Sequence, residues 1–556
     1  MVRATFSGFN TALSALQANQ KRLDITGQNL SNMNTAGYTR QQLEASSLNY
    51  TNPVSHYSNG NETAVGFGVS MDRVSQIRDP YLDIQYRSQS ADCSYTNRLQ
   101  TALNSLSKVL DETTISGIRQ AFDDIQSTLT SMQDPAKVSD PIYESELRTK
   151  MQSVCNLFNQ ASRQITQAEQ NEFQRLTGEG SSEQGDVQKI NDILRQIGNL
   201  NVQIKRNQVA GHPSLELQDE RNLLLDELSG YIPVETRYYK DDAHSGNNAY
   251  DYDANGAVIG KKDWPDDLEV SMNYIDAQGK SQKLILVNGS DLGADGLTKN
   301  YGQLSMLKGD HQTAASVSDP ANISIKFEKA PSYQGNGQAA TDVYAELNGI
   351  HFEGGSLQAS LDMLQKKGTG NVINGSVDDV RGYQYYSGKL DQLASTFANS
   401  MNDINNNGKN PKDQNLLSNS TDDSTNGITA GNIGISKGWT SGTIHISTDG
   451  TNRTDTILDM IAAMKDTKKL NGKTFADYMN NLSTQLASDS SSNQTALKTG
   501  TTVLNSIQDS RDSLSGVSLD EEATNMMAYV SAYNAASRLM TALDEVLNTL
   551  ISNTGA

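Results

Sequence analysis

No proline occurs before residue 53 or after residue 411, although the 556-residue chain has ten. Proline removes a backbone donor and clashes with the preceding helical turn, so both ends of this chain are free to form long helices. Each end also carries the apolar period of a helix. Phe6, Phe9, Leu13, Leu16, Leu23 and Leu30 follow alternating three- and four-residue spacings, with Gln20 and Gly27 at the two weak positions. At the other end come Leu519, Ala523, Met526, Val530 and Tyr533, then, after a softer patch at Ser537, Met540, Leu543, Leu547 and Leu550. Ser518 stands three residues before Glu521, the spacing of a capping box that opens the last helix. A lone terminal helix buries too few large side chains to offset the entropy of ordering about 25 residues. Each stripe therefore needs a partner. The ends can pair once within a single protein, since most helical stability comes from tertiary packing. Alternatively they stay disordered in the free chain and order when copies pack side by side. The polar residues interleaved in the first stripe (Asn10, Gln17, Asn19, Gln20, Gln28, Asn29) make it wet and point to the second arrangement.

The middle of the chain reads differently. Eight of nine Asn-Gly dipeptides lie between residues 255 and 472. Asn-Gly supplies the positive φ angles of a two-residue hairpin turn. The runs 283–287 (KLILV) and 323–327 (ISIKF) read as strands, so the region is hairpin-rich to about residue 375. On either side the helical period returns: Leu99, Leu103, Leu106 and Leu110; Ile118, Phe122, Ile125 and Leu129; Leu147, Met151, Val154 and Phe158; Ile190, Ile193 and Ile197; then Leu390, Leu393, Phe397 and Met401. The expected class is α+β: an elongated multi-domain chain with terminal helices paired as a coiled coil, a discontinuous helical bundle and an inserted β-rich domain. The expected domains are a terminal core of residues 1–45 with 500–556, a bundle of 46–235 with 381–499 that carries small β elements, and an outer insert of 236–380.

Charge narrows the function. The formal net charge is −20, which argues against nucleic-acid binding and against an anionic membrane surface. No stretch approaches the roughly 20 apolar residues of a spanning helix, and the N-terminus has no Sec-type signal pattern. Cys93 and Cys155 are too few for a disulfide scaffold and are expected as buried structural thiols. The six histidines are all more than 30 positions apart, so no local His pair can hold a metal. Asp251, Asp253 and Asn255 imitate the first half of an EF-hand loop, but the twelfth position is Lys262; a turn on Asn255-Gly256 is the expectation. The loose glycine pattern at Gly335, Gly337 and Ala340 lacks a preceding strand and a following helix. Asp520, Glu521 and Glu522 suit the positive end of a helix dipole rather than paired-carboxylate chemistry. Arg40 and Arg221 are expected in surface or interdomain ion pairs, Arg221 with the neighbouring Asp219 and Glu220. No catalytic residue, metal site or cofactor site emerges.

Residues 27–41 read Gly-Gln-Asn-Leu-Ser-Asn-Met-Asn-Thr-Ala-Gly-Tyr-Thr-Arg-Gln. This resembles the signature of bacterial flagellar axial proteins, an amphipathic helix followed by a turn carried here by Asn29, Asn32, Asn34, Gly37, Tyr38 and Arg40. The ending at 38–41 resembles the hook-associated protein 1 family of hook–filament junction proteins more than hook or rod subunits. Residues 189–234, 390–408, 428–436 and 514–550 resemble further segments of that family, the last most strongly through S-G-V-x-L-D-E-E-A. The resemblance implies a structural, non-enzymatic building block, exported unfolded by the flagellar type III export apparatus and transiently cytoplasmic before it becomes extracellular at the hook–filament junction. It implies a ring of copies of itself, joined through the terminal helices. Its partners would be hook protein, the second junction protein and filament side, and a cytoplasmic export chaperone that takes the C-terminal stripe. Nucleic acid, membrane insertion and cofactors are not implied. The alternatives are another axial subunit of hook or rod type, or an adhesin-like outer domain.

Overall fold

The computed structural model describes residues 6–48, 68–110, 112–138, 140–210, 212–240, 250–252, 258–261, 266–275, 280–289, 299–309, 313–328, 333–334, 338–339, 351–373, 376–407, 414–446 and 454–554. Helices dominate: α1 (Phe6–Ser31), α2 (Pro80–Val109), α3 (Glu112–Ser131), α4 (Pro135–Val138), α5 (Pro141–Thr177), α6 (Asp186–Val209), α7 (Leu215–Tyr231), α8 (Gly355–Gln365), α9 (Tyr383–Asn406), α10 (Lys437–Ser441), α11 (Asp455–Lys465), α12 (Phe475–Ser515) and α13 (Leu519–Thr554). Two of the long ones start on an Asp-Pro pair. Asp79 and Asp140 each accept a hydrogen bond from the amide two residues on, and Pro80 and Pro141 occupy the first turn, where a missing donor is harmless.

The bundle core follows directly from the helical stripes. Ile118, Phe122, Ile125 and Leu129 of α3 are buried, as are Leu147, Met151, Val154, Phe158 and Ile165 of α5. Phe122 sits at its centre, with ring centroids 6.0 Å from Phe158, 5.2 Å from Phe397 and 5.6 Å from Phe475. That cluster joins α3, α5, α9 and α12. Cys93 and Cys155 are both buried free thiols, and burial pushes the Cys155 thiol up to about 12.

The β elements are small. β1 (Gln41–Ser47) and β2 (Val69–Gln76) form an antiparallel hairpin against α1. The inserted region holds β3 (Glu235–Lys240), β4 (Tyr250–Tyr252), β5 (Val258–Lys261), β6 (Asp266–Ile275), β7 (Ser281–Asn288), β8 (Gln303–Lys308), β9 (Ile323–Glu328), β10 (Tyr333–Gln334), β11 (Gln338–Ala339), β12 (His351–Phe352), β13 (Val372–Ile373) and β14 (Ser376–Val377). β6 is the hub of the largest sheet and pairs with β3, β7 and β12, all antiparallel. β15 (Leu417–Asn419) and β16 (Ile433–Ile435) form a last pair beside α5 and α9. The Asn-Gly dipeptides at 255, 336 and 374 fall between paired strands, though these residues, like Lys262 and Trp264, lie outside the described ones.

One expectation is corrected. The run expected to be hairpin-rich to about residue 375 contains α8, which packs on α2, α5, α7 and α9. Nearly every residue of α8 is buried, including Gln358, Ser360 and Asp362. A helix buried all round shows no one-sided apolar stripe, so periodicity does not reveal it.

Candidate assembly interface

α1 and α13 pair antiparallel. A side chain at Gly8 would touch Leu543 at 3.4 Å, and fourteen positions further on the Arg22 guanidinium lies 5.6 Å from the ring centre of Tyr529. Together with the β1–β2 hairpin they form a unit that, among the described residues, packs on itself and meets the bundle helices only sparsely. The hairpin meets α1 on a different arc: Ser14 Oγ accepts from the Val69 amide, and Asn29 Nδ2 donates to the Gln41 carbonyl at 3.0 Å.

The surface of α1 inside this unit is mostly small or polar, with Ile25 as the large apolar exception. Ala12, Ala18, Asn19, Ile25, Thr26 and Asn29 are buried. The larger side chains sit mostly outside. Leu13 is 46% exposed, and Phe9, Leu16, Leu23 and Leu30 are only half-buried. Phe6 is the first residue of the helix. On α13, Ala536 and Glu522 are buried; Met526, Met540, Leu543 and Leu547 are half-buried, while Leu519, Ala523, Val530, Tyr533 and Leu550 are exposed. Met527 and Val546, outside the predicted stripe, are also exposed.

The turn after α1 is built around Asn29. Its Oδ1 accepts from the Gln41 amide and from the Tyr38 hydroxyl, both at 3.0 Å, so one buried side chain ties helix end, turn and strand start. Tyr38 is pushed up to about 12 by burial and by the nearby carboxylates of Asp219, Glu216 and Glu522. Asn32 caps locally, donating to the Gln28 carbonyl and accepting from Thr35, and Asn34 is exposed. Gly37 takes φ +76°, the left-handed conformation that stops the helix, with Leu223 of α7 against it. Arg40 bridges to α13, 2.7 Å from Glu521 and 2.8 Å from Glu522, and its amide donates to the Ser515 carbonyl at the end of α12. The Glu521 amide reaches Ser518 Oγ at 3.5 Å, so the cap survives in its weakest form while the Glu521 carboxylate serves Arg40.

Asp219, which the sequence offers only as a neighbour of Arg221, has a different role. It is buried on α7 and accepts from the Thr39 amide at 3.1 Å and the Thr39 hydroxyl at 2.6 Å, with Arg78 at 4.0 Å. Arg221 is buried rather than at the surface, donates to Asn201 Oδ1 at 2.8 Å and lies over the Tyr238 ring. Residues two apart on a helix do not share a face, which separates the two. Around this seat run further charged bridges. Arg511 of α12 reaches Asp83 at 3.1 Å and Asp226 at 2.7 Å and covers Tyr86, and Arg87 also holds Asp226 at 2.8 Å. A cleft of about 850 Å3 opens between the turn, α7 and the α12–α13 connection. Among the described residues no group of His, Cys, Asp or Glu is arranged to hold a metal, and no helix is long and apolar enough to cross a membrane.

Burial raises the Asp219 pKa to about 6, opposed by its Thr39 hydrogen bonds and by Arg78; Gln76 also bonds it, and Tyr38 and Glu216 stand nearby. A carboxyl whose folded pKa is raised contributes stability below its unfolded pKa and loses it as pH rises through the folded value. Asp219→Asn, which keeps the neutral shape, therefore gains on the wild type between pH 4.5 and pH 7. Urea midpoints of both chains at the two pH values measure this. A constant difference would show that Asp219 titrates as an ordinary carboxylate.

Comparison with known proteins places these elements. Residues 103–416 match the flagellar hook-associated protein FlgK helical domain. Residues 9–39, which cover α1 and its turn, match the flagella basal body rod protein family, and residues 510–553 match the flagellar basal body rod FlgEFG protein C-terminal family. The chain is 29% identical to flagellar hook-associated protein 1 of Bacillus subtilis (strain 168) across 99% of both chains. It is 29% identical to the protein of that name from Salmonella typhimurium over 41% of this chain and 38% of the other. The solved flagellar hook junction protein FlgK from Burkholderia pseudomallei aligns at 19% identity over 61% of this chain and 44% of that one, with a TM-score of 0.36. The chain thus belongs to the flagellar hook-associated protein FlgK family, whose members are structural components of the flagellum and not enzymes.

Proposed function

We propose that this protein is the adaptor that joins hook to filament, assembling as a ring through its terminal helices. The supporting observation is the inversion on α1. Apart from Ile25, small and polar residues fill the contacts within one chain, while Phe9, Leu13, Leu16, Leu23 and Leu30 are left half-buried or exposed. At 100° per residue these five lie on the arc next to the one that meets α13, away from the arc that meets the hairpin. Exposed Leu519, Val530 and Tyr533 continue the apolar surface on α13. Such a row suits contact between copies, with a different surface on each flank of a subunit. On this reading Asn29, Gly37, Tyr38 and Arg40 set the angle at which the helices leave the bundle. The terminal core then takes in the β1–β2 hairpin, α8 packs with the bundle, and the strands of the 236–380 insert face outward. α12 runs unbroken through residue 500 and carries the bundle into the core. Hook protein, the second junction protein, the export apparatus and a chaperone that grips the α13 stripe are its partners, and its final location is outside the cell.

The terminal helices are only marginally stable in the free monomer, because their large side chains gain burial only from neighbours. Hydrogen exchange on the purified monomer and on assembled material tests this. Amides of α1 and α13 exchange rapidly in the monomer and are protected on assembly, while α3, α5 and α9 are protected in both. Equal, strong protection of α1 and α13 in the monomer would overturn folding on assembly.

A further inference from the structure

The terminal unit is joined to the bundle by a dry-packing-poor contact. The chain crosses between them only at Ile77 to Asp79, between β2 and α2, and at Gly516 to Ser518, between α12 and α13. The apolar side chains that could seal the joint stay open to solvent: Met33 is 40% exposed, Leu223 46%, Leu514 42% and Leu519 54%. Contact is instead made by polar groups on the first turns of α7. Gln76 donates to the Leu215 carbonyl at 2.9 Å, Gln41 reaches Glu216 at 3.4 Å, and Thr39 gives two hydrogen bonds to Asp219. Of these acceptors only Asp219 is a buried carboxylate, so its bonds are the strong ones. Two further contacts support that pair: Arg78, held by Asp83 of α2, donates to Thr39 Oγ at 3.3 Å, and the Arg40 amide donates to the Ser515 carbonyl at 2.9 Å. The joint is therefore held by a few polar contacts centred on Thr39 and Asp219, with little apolar packing around them.

We propose that the Thr39–Asp219 pair is a latch that docks the terminal helix unit on α7, and that the unit swings about residues 77–79 and 516–518 when the latch opens. Hydrogen bonds have short reach, so a small displacement breaks both bonds together, and little apolar surface resists the swing once they are gone. The closed latch fixes the direction in which the helix pair leaves the bundle. The open latch leaves α1, the hairpin and α13 intact as one body, since their mutual contacts do not pass through α7.

Single-molecule fluorescence on the full chain tests the latch. Dyes placed by non-canonical amino acids at exposed Lys21 on α1 and exposed Gln152 on α5 report the joint, and a second pair at Lys21 and Asn534 reports α1 against α13. Wild type and Thr39→Ser give a single transfer band across the joint. Asp219→Ala and Thr39→Val lose that band to a spread of distances while the α1–α13 distance keeps its wild-type value. A joint distribution that is the same in wild type, Asp219→Ala and Thr39→Val, whether narrow or broad, would overturn the latch. Loss of the α1–α13 band already in wild type would bear on folding on assembly instead, and the two readouts keep those failures apart.

Discussion

Leu16→Asp combined with Leu23→Asp yields a soluble chain with an intact helical bundle that no longer joins an assembly. Both residues are half-buried in the single chain and lie on α1 beside the arc that meets α13, away from the hairpin. A carboxylate there remains hydrated in the monomer and is desolvated only when a neighbour arrives. Desolvating an unpaired charge costs at least several kcal/mol, and each 1.4 kcal/mol is about tenfold in affinity, so two per copy reduce association by orders of magnitude. Circular dichroism reports the bundle, and sedimentation of assembled material reports association. Asn10→Asp, exposed on a different arc of the same helix, leaves both unchanged. A double variant that assembles like wild type would remove the leucine face from the account. On the other helix, Met526→Asp with Val530→Asp abolishes capture by an export chaperone in a pull-down, and retained capture would count against that partner.

The bundle was legible because its helices bury one face each. Ile118, Phe122, Ile125 and Leu129 repeat every three or four residues and all point into the core. α8 was not legible, since its buried Gln358, Ser360 and Asp362 interrupt the apolar pattern. Gln358 is satisfied nearby, by Asp362 and the Phe352 amide, but Ser360 and Asp362 also draw on distant partners: Arg175 donates to Ser360 at 3.0 Å and the Tyr95 hydroxyl to Asp362 at 2.8 Å, and no local pattern announces those pairings. The same holds for Asn201, which donates to the carbonyls of Leu268 and Gly289 and fastens α6 to the sheet.

The terminal helix is the more instructive case. Large apolar residues mark a stripe in sequence, and the natural reading is that the stripe is the seam. Within one chain the seam runs elsewhere: buried Ala12, Asn19 and Thr26 each stand one position before Leu13, Gln20 and Gly27. One residue is 100° of rotation, which carries Leu13 off the seam, while Leu16, Leu23 and Leu30, four residues after Ala12, Asn19 and Thr26, sit about 40° to its side. Composition could not reveal this, because small residues pack two helices closely without advertising themselves. The turn was legible as a pattern but not as a mechanism. Asn29, Gly37, Tyr38 and Arg40 are all engaged, yet their counterpart Asp219 lies 180 positions from Thr39, and only the folded chain brings the two together.

Phe122→Ala lowers the stability of the bundle by about 3–5 kcal/mol, the range for truncating a fully buried aromatic ring. Phe122 is 1% exposed and touches three rings from three other helices, so the site cannot collapse around a single moving neighbour. Against a typical total of about 5–15 kcal/mol, that is a large share. Phe122→Leu retains most of the volume and loses less, whereas Tyr81→Ala, at a side chain 64% exposed on α2, changes stability by no more than about 0.5 kcal/mol. Urea denaturation resolves the three, with the midpoint moving and the slope unchanged if folding remains cooperative. The consequence reaches beyond the bundle. Phe475, stacked on Phe122, anchors the first turn of α12, which is buried only as far as Leu486 and continues to Ser515 held by polar contacts with α2 and α7. A loosened Phe122 cluster therefore frees the anchored end of the helix that carries the terminal unit, and α12 amides beyond residue 487 exchange faster in Phe122→Ala than in wild type. A midpoint shift below that of Phe122→Leu would show that the four rings do not act as one core.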